Sequence, residues 1–211
     1  MKIVITAGGT KEAIDSVRYI HNRSSGKQGL ALAEEAYKAG HDVTLIHTLD
    51  DILVKDLPLQ KVKVESAAQM YDAVHEQMNT AHVLIMVAAV ADYTPVSTAS
   101  HKIKKTANDV LTIDLKKTKD ILASFKDSDK LIVGFAAETG DQNNTEIEYG
   151  AQKLVRKGCD FIVVNSVADG KTFGADTNNA IILFKDDRKP VNFSGTKNEL
   201  AQVVLKYLTA L

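Results

Sequence analysis

Apolar and polar positions follow one another along the chain in a repeating strand–helix order. Short runs rich in Val, Ile and Leu are typical of buried strands, and most are followed by a longer run of helix-forming composition. The pattern predicts strands over 2–7, 42–48, 62–65, 82–90, 131–137 and 161–165, and helices over 30–39, 67–79, 119–125, 146–157 and 197–208. Strands that alternate with helices indicate a mainly parallel sheet with helices on both faces.

Two segments depart from this order. Hairpins are expected over 102–106 with 110–115, joined by a polar turn at 107–109, and over 180–185 with 190–193. The first would form a flap of about 91–117 outside the sheet. No internal repeat or linker divides the chain, so the sequence predicts one Rossmann-like α/β domain over 1–211 with a β-hairpin flap.

Composition and charge narrow the class of protein. The 211 residues are 45% hydrophobic and 25% charged, which is an ordinary globular balance. The net charge of −1 disfavours a strongly basic nucleic-acid or membrane-surface binder. The single cysteine, Cys159, excludes a disulfide framework and a multi-thiolate zinc site, and it is more typical of a core residue than of a nucleophile. No apolar run approaches the ~20 residues of a membrane span. We therefore expect a soluble, cytoplasmic protein.

The loop between the first strand and the first helix carries the first candidate chemistry. It contains Asn22-Arg23-Ser24-Ser25-Gly26-Lys27, and the N–H groups of a helix N-terminus together with two hydroxyls can cradle an anion. Gly26 and Gly29 would allow close approach of the backbone to a phosphate and of the helix to the sheet. The spacing is not that of a Walker A loop, and Gly-x-Gly-x-x-Gly is absent. The alternative is an ordinary Ser/Gly-rich loop that caps a helix.

The end of the most apolar strand is the second candidate. Ala88, Ala89 and Ala91 leave room for a ligand against the backbone, and Asp92 could hold a ribose hydroxyl or reach a magnesium ion through water. The alternative is a tightly packed strand end at which Asp92 caps the next turn.

Lysines supply two further candidates. Lys102 and Lys104 would share one face of the predicted hairpin, either as protection of an edge strand or as a flap that closes over polyphosphate. Lys153 and Lys157 are spaced i, i+4, so they would lie on one face of a helix. The simplest interpretation is that this face is exposed to solvent. The six histidines show no metal-ligand spacing, and no Gly-x-Ser-x-Gly elbow is present.

Taken together, these segments resemble the phosphopantothenate–cysteine ligase family, the second activity of the bacterial bifunctional flavoprotein of coenzyme A synthesis. The matching pieces are collinear: Thr6-Ala7-Gly8-Gly9-Thr10, Val17-Arg18-Tyr19-Ile20, Asn22-x-Ser24-Ser25-Gly26-Lys27, Ala88-Ala89-Val90-Ala91-Asp92, Lys102-Ile103-Lys104-Lys105, Lys119-Asp120-Ile121-Leu122, Gly134-Phe135-Ala136-Ala137-Glu138-Thr139, and Lys153 with Lys157. Many relatives carry proline where Ala13 and Ser16 stand here. The resemblance is to the stand-alone bacterial form, without the fused flavin-binding decarboxylase.

The resemblance implies a reaction in two steps. The carboxylate of 4′-phosphopantothenate attacks the α-phosphate of CTP, with Mg²⁺ present, and the amine of L-cysteine then displaces CMP. It implies catalytic roles for Asn22 and Lys102, and Arg18, Asn22, Ala88 and Ala89 at the phosphopantothenate. Mg²⁺ would be held mainly by the nucleotide phosphates, with Asp92 as a possible ligand. Nucleotide contacts are implied for Ser24, Ser25, Gly26, Met86, Val87, Ala88, Asp92, Lys102, Lys119, Asp120, Ile121, Leu122, Phe135, Lys153 and Lys157.

The family pattern also implies a homodimer whose flap and substrate site are completed across the interface, and a separate decarboxylase protein for the next step. Two rival hypotheses remain. An NAD(P)-dependent reductase would need the missing glycine fingerprint, and Tyr149 with Lys153 has a reductase's Tyr-x-x-x-Lys spacing only on a later helix. A non-catalytic module that merely binds metabolites is the other.

Overall fold

The structure is a computed structural model that describes residues 1–105, 110–166 and 174–210. The strands are β1 (Lys2–Ala7), β2 (Lys11–Ala13), β3 (Tyr19–His21), β4 (Asp42–His47), β5 (Gln60–Lys63), β6 (Val83–Met86), β7 (Tyr93–Pro95), β8 (Leu115–Lys117), β9 (Leu131–Glu138), β10 (Phe161–Ser166), β11 (Thr177–Phe184) and β12 (Val191–Thr196). The α-helices are α1 (Lys27–Lys38), α2 (Ala67–Met78), α3 (Glu146–Lys157) and α4 (Lys197–Leu208), and single 3₁₀ turns lie at Asp51–Leu53 and Ala123–Phe125.

An eight-stranded sheet with the order β12-β11-β10-β9-β6-β1-β4-β5 forms the centre of the molecule. The six adjacent strands β5, β4, β1, β6, β9 and β10 are parallel to one another, while β11 is antiparallel to both β10 and β12. The parallel part has the strand order of a doubly wound dinucleotide-binding sheet. The predicted Rossmann-like, mainly parallel sheet is therefore confirmed.

Helices cover both faces of the sheet, as predicted. Leu32 of α1 and Leu200 of α4 belong to the apolar core on one face, together with alternate residues of β1 and β4. Met70 of α2 and Leu154 of α3 belong to the core on the opposite face. The helices α2, α3 and α4 begin with capping boxes, in which the N-cap hydroxyl and the side chain three residues later satisfy each other's backbone N–H groups. None of the helices in the described ranges is long and apolar enough to cross a membrane.

The predicted strand over 82–90 is wrong in length, because β6 ends at Met86. The next two backbone N–H groups, those of Val87 and Ala88, donate to the hydroxyl of Thr6, each at 3.0 Å, instead of to a neighbouring strand. The predicted helix over 119–125 is also wrong, since only one 3₁₀ turn forms there. The carboxylate of Asp120 accepts the N–H of Ala123, the first residue of that turn.

The flap hairpin is placed differently from the prediction. The antiparallel pairing joins β7 to β8, and no strand forms over 102–105 or 110–114. The backbone near Lys102 bonds to the first loop instead, as the N–H of Ile103 donates to the carboxylate of Asp15. The predicted turn at 107–109 lies outside the described residues. The β2–β3 ribbon was not predicted, since its short strands lie within the loop before α1.

Candidate active site

The candidate site lies where the strand order switches from one side of β1 to the other. From β1 the chain proceeds to β4 and β5 on one side, and it then returns to β6 on the other. The carboxyl ends of β1 and β6 therefore open a crevice between their loops. Buried hydroxyls hold these loops together: Thr6 accepts the two N–H groups described above, and Thr10 accepts the N–H of Ala91 at 2.9 Å. Both threonines stand in the first matching motif, but no role was predicted for either, although a hydroxyl at the end of an apolar strand is a usable signal.

The loop before α1 reaches this crevice with an unusual helix start. Gly26 is the N-cap, with φ of 70°, and α1 has no side-chain cap and no acidic residue in its first turn. A Cβ at Gly29 would lie 2.6 Å from the Cβ of Ala7 and 2.9 Å from the carbonyl oxygen of Thr6. Glycine at 29 therefore lets the helix start approach the end of β1, as predicted.

A cavity of about 160 Å³, here called the loop cavity, lies beside this helix start. It is lined by Gly8, Arg23, Ser24, Ser25, Gly26, Lys27, Gln28, Gly29, Val87, Ala88, Ala89, Phe135, Ala136, Ala137, Asn165, Gly174, Asn178 and Lys197. Among the described residues, the lining has three cationic side chains and no carboxylate. Its electrostatic character thus favours an anion.

A second cavity of about 630 Å³, the large cleft, opens between β6, β9, α3 and the ribbon formed by β7 and β8. Its lining is Met86, Ala88, Val90, Ala91, Asp92, Tyr93, Lys117, Thr118, Lys119, Asp120, Ile121, Leu122, Phe135, Lys153, Arg156 and Lys157. Five of these side chains are cationic and two are carboxylates. Lys117, Tyr93 and Arg156 are lining residues that sequence reasoning missed, although Arg156 directly precedes the predicted Lys157.

Specific contacts hold the charges of the large cleft. Lys153 pairs with Glu138 at 2.6 Å, and Lys157 pairs with Asp120. Burial alone would raise the pKa of Asp120, but the hydrogen bonds from Lys157 and from the Ala123 amide hold it below its usual value. The ammonium of Lys119 lies 4.6 Å from the centre of the Tyr71 ring. The i, i+4 lysines of α3 therefore face the cleft and not only solvent.

The two cavities share Ala88 and Phe135, so one extended ligand could occupy both. Of the residues predicted to contact nucleotide, Met86, Asp92, Lys119, Asp120, Ile121, Leu122, Lys153 and Lys157 line the large cleft, while Ser24, Ser25, Gly26 and Val87 line the loop cavity. Ala89, predicted to contact phosphopantothenate, also lines the loop cavity. Asn22 lies beside the boundary, because its amide nitrogen donates to the carbonyl of Val90 at 3.1 Å.

Arg18 and Lys102 lie outside the linings of both cavities. The guanidinium of Arg18 donates to the carboxylate of Asp15 and, at 3.2 Å, to the carbonyl of Ile103. Asp15 also accepts the N–H of Ile103, so Arg18 and the segment that carries Lys102 are held by the same carboxylate. Lys102 itself is exposed.

Comparison with known proteins places the chain in a family. The family model of the DNA/pantothenate metabolism flavoprotein C-terminal domain matches residues 1–211. The coenzyme A biosynthesis bifunctional protein CoaBC of Mycobacterium bovis is 43% identical over 97% of this chain and 51% of its own length, and that of Bacillus subtilis is 41% identical over 99% and 51%. The chain thus spans about half the length of the curated relatives it matches.

A solved structure gives the same result. The crystal structure of the C-terminal domain of CoaBC superposes with a TM-score of 0.77 at 36% identity, covering 98% of this chain and 93% of that one. These matches confirm the family resemblance that the sequence motifs suggested. The chain belongs to the family of the C-terminal domain of the DNA/pantothenate metabolism flavoproteins.

Proposed function

We propose that this chain is a phosphopantothenate–cysteine ligase of coenzyme A synthesis. It would join 4′-phosphopantothenate to L-cysteine, use CTP, and release CMP and pyrophosphate. The observation that carries the proposal is the pair of adjoining cavities, the larger with five cations against two carboxylates and the smaller with no carboxylate in its described lining. Two anionic reactants can meet only where such a field lowers their repulsion. The matched relatives named for coenzyme A biosynthesis support the choice of substrates.

The first step forms a bond between a carboxylate oxygen of phosphopantothenate and the α-phosphorus of CTP, while the bond from that phosphorus to pyrophosphate breaks. In phosphoryl and nucleotidyl transfer the protein contributes mainly by positioning and by electrostatic stabilisation. Ser24, Ser25 and Gly26 at the α1 start would hold phosphate oxygens, and Lys102 would add positive charge when its segment closes. The cleft lysines and Phe135 would hold the nucleoside end.

In the second step the amine nitrogen of cysteine attacks the acyl carbon and loses a proton, and CMP leaves with the electrons of the C–O bond. Asn22 would donate to the oxygen that becomes negative, and this role is supported by its position beside the large cleft, where its amide nitrogen donates to the carbonyl of Val90. A well-placed donor of this kind typically contributes about 3 kcal/mol to catalysis. Holding both reactants in line contributes about 7–11 kcal/mol more.

The residues present also fit a magnesium ion. Mg²⁺ is usually bound through one or two carboxylates together with substrate phosphates. Asp120 is paired with Lys157, whereas Asp92 is exposed on the cleft and forms no ion pair within the described ranges. Asp92 would therefore hold the ion, which neutralises phosphate charge when it is bound.

A homodimer is part of the proposal. Large apolar side chains are exposed on the β2–β3 and β7–β8 ribbons and next to them, at Val17, Tyr19, Tyr93, Val96 and Leu115. Exposed apolar surface of this extent is typical of an interface. A second copy on this side would adjoin Arg18 and the segment of Lys102.

The test is pyrophosphate release by the purified chain with phosphopantothenate, cysteine, Mg²⁺ and each of the four ribonucleoside triphosphates in turn. We expect multiple-turnover release that needs every component and is fastest with CTP, with no more than one pyrophosphate per site when cysteine is omitted. No release with any nucleotide would contradict the ligase and favour a non-catalytic binding module. Saturable binding of NADPH, without binding of any triphosphate, would favour the reductase.

A further inference from the structure

Three amide side chains, two of them buried and that of Asn165 half-buried, connect α4 to the loop cavity and are here called the amide relay. The side-chain nitrogen of Gln28 donates to the carbonyl of Lys197 at 3.0 Å. The side-chain nitrogen of Asn178 donates to Oε1 of Gln28 at 3.4 Å and to Oδ1 of Asn165 at 2.9 Å. Gln28 and Asn178 are only 8% and 4% exposed, and all three amides line the cavity.

The first contact of the relay fixes the orientation of the others. A backbone carbonyl can only accept, so Gln28 must direct its nitrogen to Lys197 and its oxygen to Asn178. Asn178 must then direct its nitrogen to Gln28, and the same nitrogen reaches the oxygen of Asn165. With its oxygen used in this way, Asn165 keeps its amino group, a pure donor, for the cavity.

Two further observations indicate that the cavity binds a ligand and what its charge is. The buried Oδ1 of Asn178 has no hydrogen-bond partner among the described residues, so a water molecule or a donor group of a ligand can complete it from the cavity. Lys27 is paired with Asp176 just outside the described lining, at 2.7 Å, while no carboxylate of that lining accompanies Arg23 and Lys197. Sites for drug-sized ligands occupy about 300–1,000 Å³, so a cavity of about 160 Å³ suits the phosphoryl end of a larger molecule.

We propose that Asn178 is a positioning residue that turns the amino group of Asn165 toward a phosphoryl anion in the loop cavity. The inference rests on the proposed function for the identity of that anion, which is either the phosphate chain of the nucleotide or the phosphate of phosphopantothenate. The bond to the Lys197 carbonyl fixes the orientation of the Gln28 amide, and Gln28 in turn fixes that of Asn178. Asn178 then orients Asn165 near the end of β10.

Calorimetric titration of the full chain with inorganic pyrophosphate, and separately with phosphopantothenate, tests this. Asn178→Asp cannot donate, so Asn165 would present its oxygen to the anion, and we expect about tenfold weaker binding of one of the two. Asn179→Asp is the matched control, because Asn179 is the exposed neighbour on β11 and adds the same charge. It should change binding less than twofold. The probe that weakens identifies the source of the phosphoryl group.

A second comparison separates positioning from a general loss of structure. Asn178→Ala and Asn165→Ala should each weaken binding of that probe, but the double variant should bind no worse than Asn165→Ala, because both changes remove the same donor. Additive losses, or unchanged binding in Asn178→Ala, would overturn the inference. Neither probe requires turnover, so this inference and the proposed function can fail separately. If the ligase is active but the variants bind both probes as the parent chain does, only this inference is refuted. A relay effect in a chain without ligase activity refutes only the proposed function.

Discussion

Asp15 shows how one side chain organises two distant segments. Its buried carboxylate accepts the N–H groups of Val17 and Arg18, each at 2.8 Å, and that of Ile103 at 3.1 Å. The hydrogen bond from the Arg18 guanidinium holds the pKa of Asp15 well below its usual range. A carboxylate with a lowered pKa stabilises the folded chain above its ordinary pKa of about 4, and this contribution is lost as the pH falls further. The attachment of the Lys102 segment therefore persists at neutral pH.

Replacement of Asn22 tests the second chemical step. Asn22→Ala removes the donor that we propose for the acyl oxygen, so kcat for amide formation should fall about 100-fold while the affinity for CTP is unchanged. Rapid quench should detect accumulated acyl-cytidylate. Asn192→Ala, at an exposed position on β12, is the control and should behave as the parent. Equal steady-state rates in Asn22→Ala and the control would remove Asn22 from the catalytic residues.

Replacement of Lys102 tests activation. Lys102→Gln removes positive charge from the segment that Asp15 anchors, and pyrophosphate release should fall at least tenfold because the attack on the α-phosphate loses that stabilisation. Lys105→Gln, three residues along the same segment, removes an equal charge and should retain most of the activity. Similar losses in both variants would show that only the overall charge matters.

The cysteine gives a prediction that is independent of the reaction. Cys159 is fully buried, and burial raises the pKa of its thiol to about 12. The thiolate is the reactive form, so a thiol reagent at pH 8 should not modify the folded chain but should modify one thiol in denaturant. Rapid modification without denaturant would place Cys159 at an accessible position. The predicted core role of this residue is consistent with its contacts in the α2–α3 core.

At the scale of elements, α1 is where packing against the sheet sets the geometry of the site. Gly29→Ala would place a Cβ against Ala7 and Thr6. Alanine is the better helix former by about 0.5–1 kcal/mol, but overpacking costs about 1–3 kcal/mol. We therefore expect a lower free energy of unfolding in denaturant titration, together with weaker pyrophosphate binding. A gain in stability would mean that the helix start can move away from β1 without cost.

The elements that sequence patterns predicted well are those in which buried positions recur with one regular spacing. The predicted boundaries of α3 and α4 match the structure, because their capping residues and amphipathic faces lie within the segments themselves. The elements predicted wrongly, the strand over 82–90, the helix over 119–125 and the flap hairpin, depend on partners far along the chain. The hydroxyl of Thr6 accepts the N–H that follows β6, and the carboxylate of Asp15 accepts the N–H of Ile103 next to Lys102. Contacts between residues so far apart in the chain cannot be predicted from a local sequence pattern.

At the scale of the molecule, the apolar side chains of the ribbons predict a dimer. Val96 is 54% exposed beside this surface, and Val96→Lys should convert the dimer to monomers in sedimentation velocity experiments. Val155→Lys is the matched control, because Val155 is 73% exposed on α3, away from the ribbons, and should leave the dimer intact. A monomeric parent chain, or dissociation in both variants, would contradict this interface.

The sequence by itself determined the α/β class and the parallel sheet, because periodic burial is a local property, and the family resemblance implied ten of the sixteen residues that line the large cleft. The tertiary structure alone decided which charges face one another. It brought Arg156 and Lys117 into the large cleft, paired Lys157 with Asp120, and oriented Asn165 through Asn178. A hydrogen bond or ion pair depends on atoms being within about 3 Å in space, and residues separated by dozens of positions satisfy that condition only after the sheet has formed.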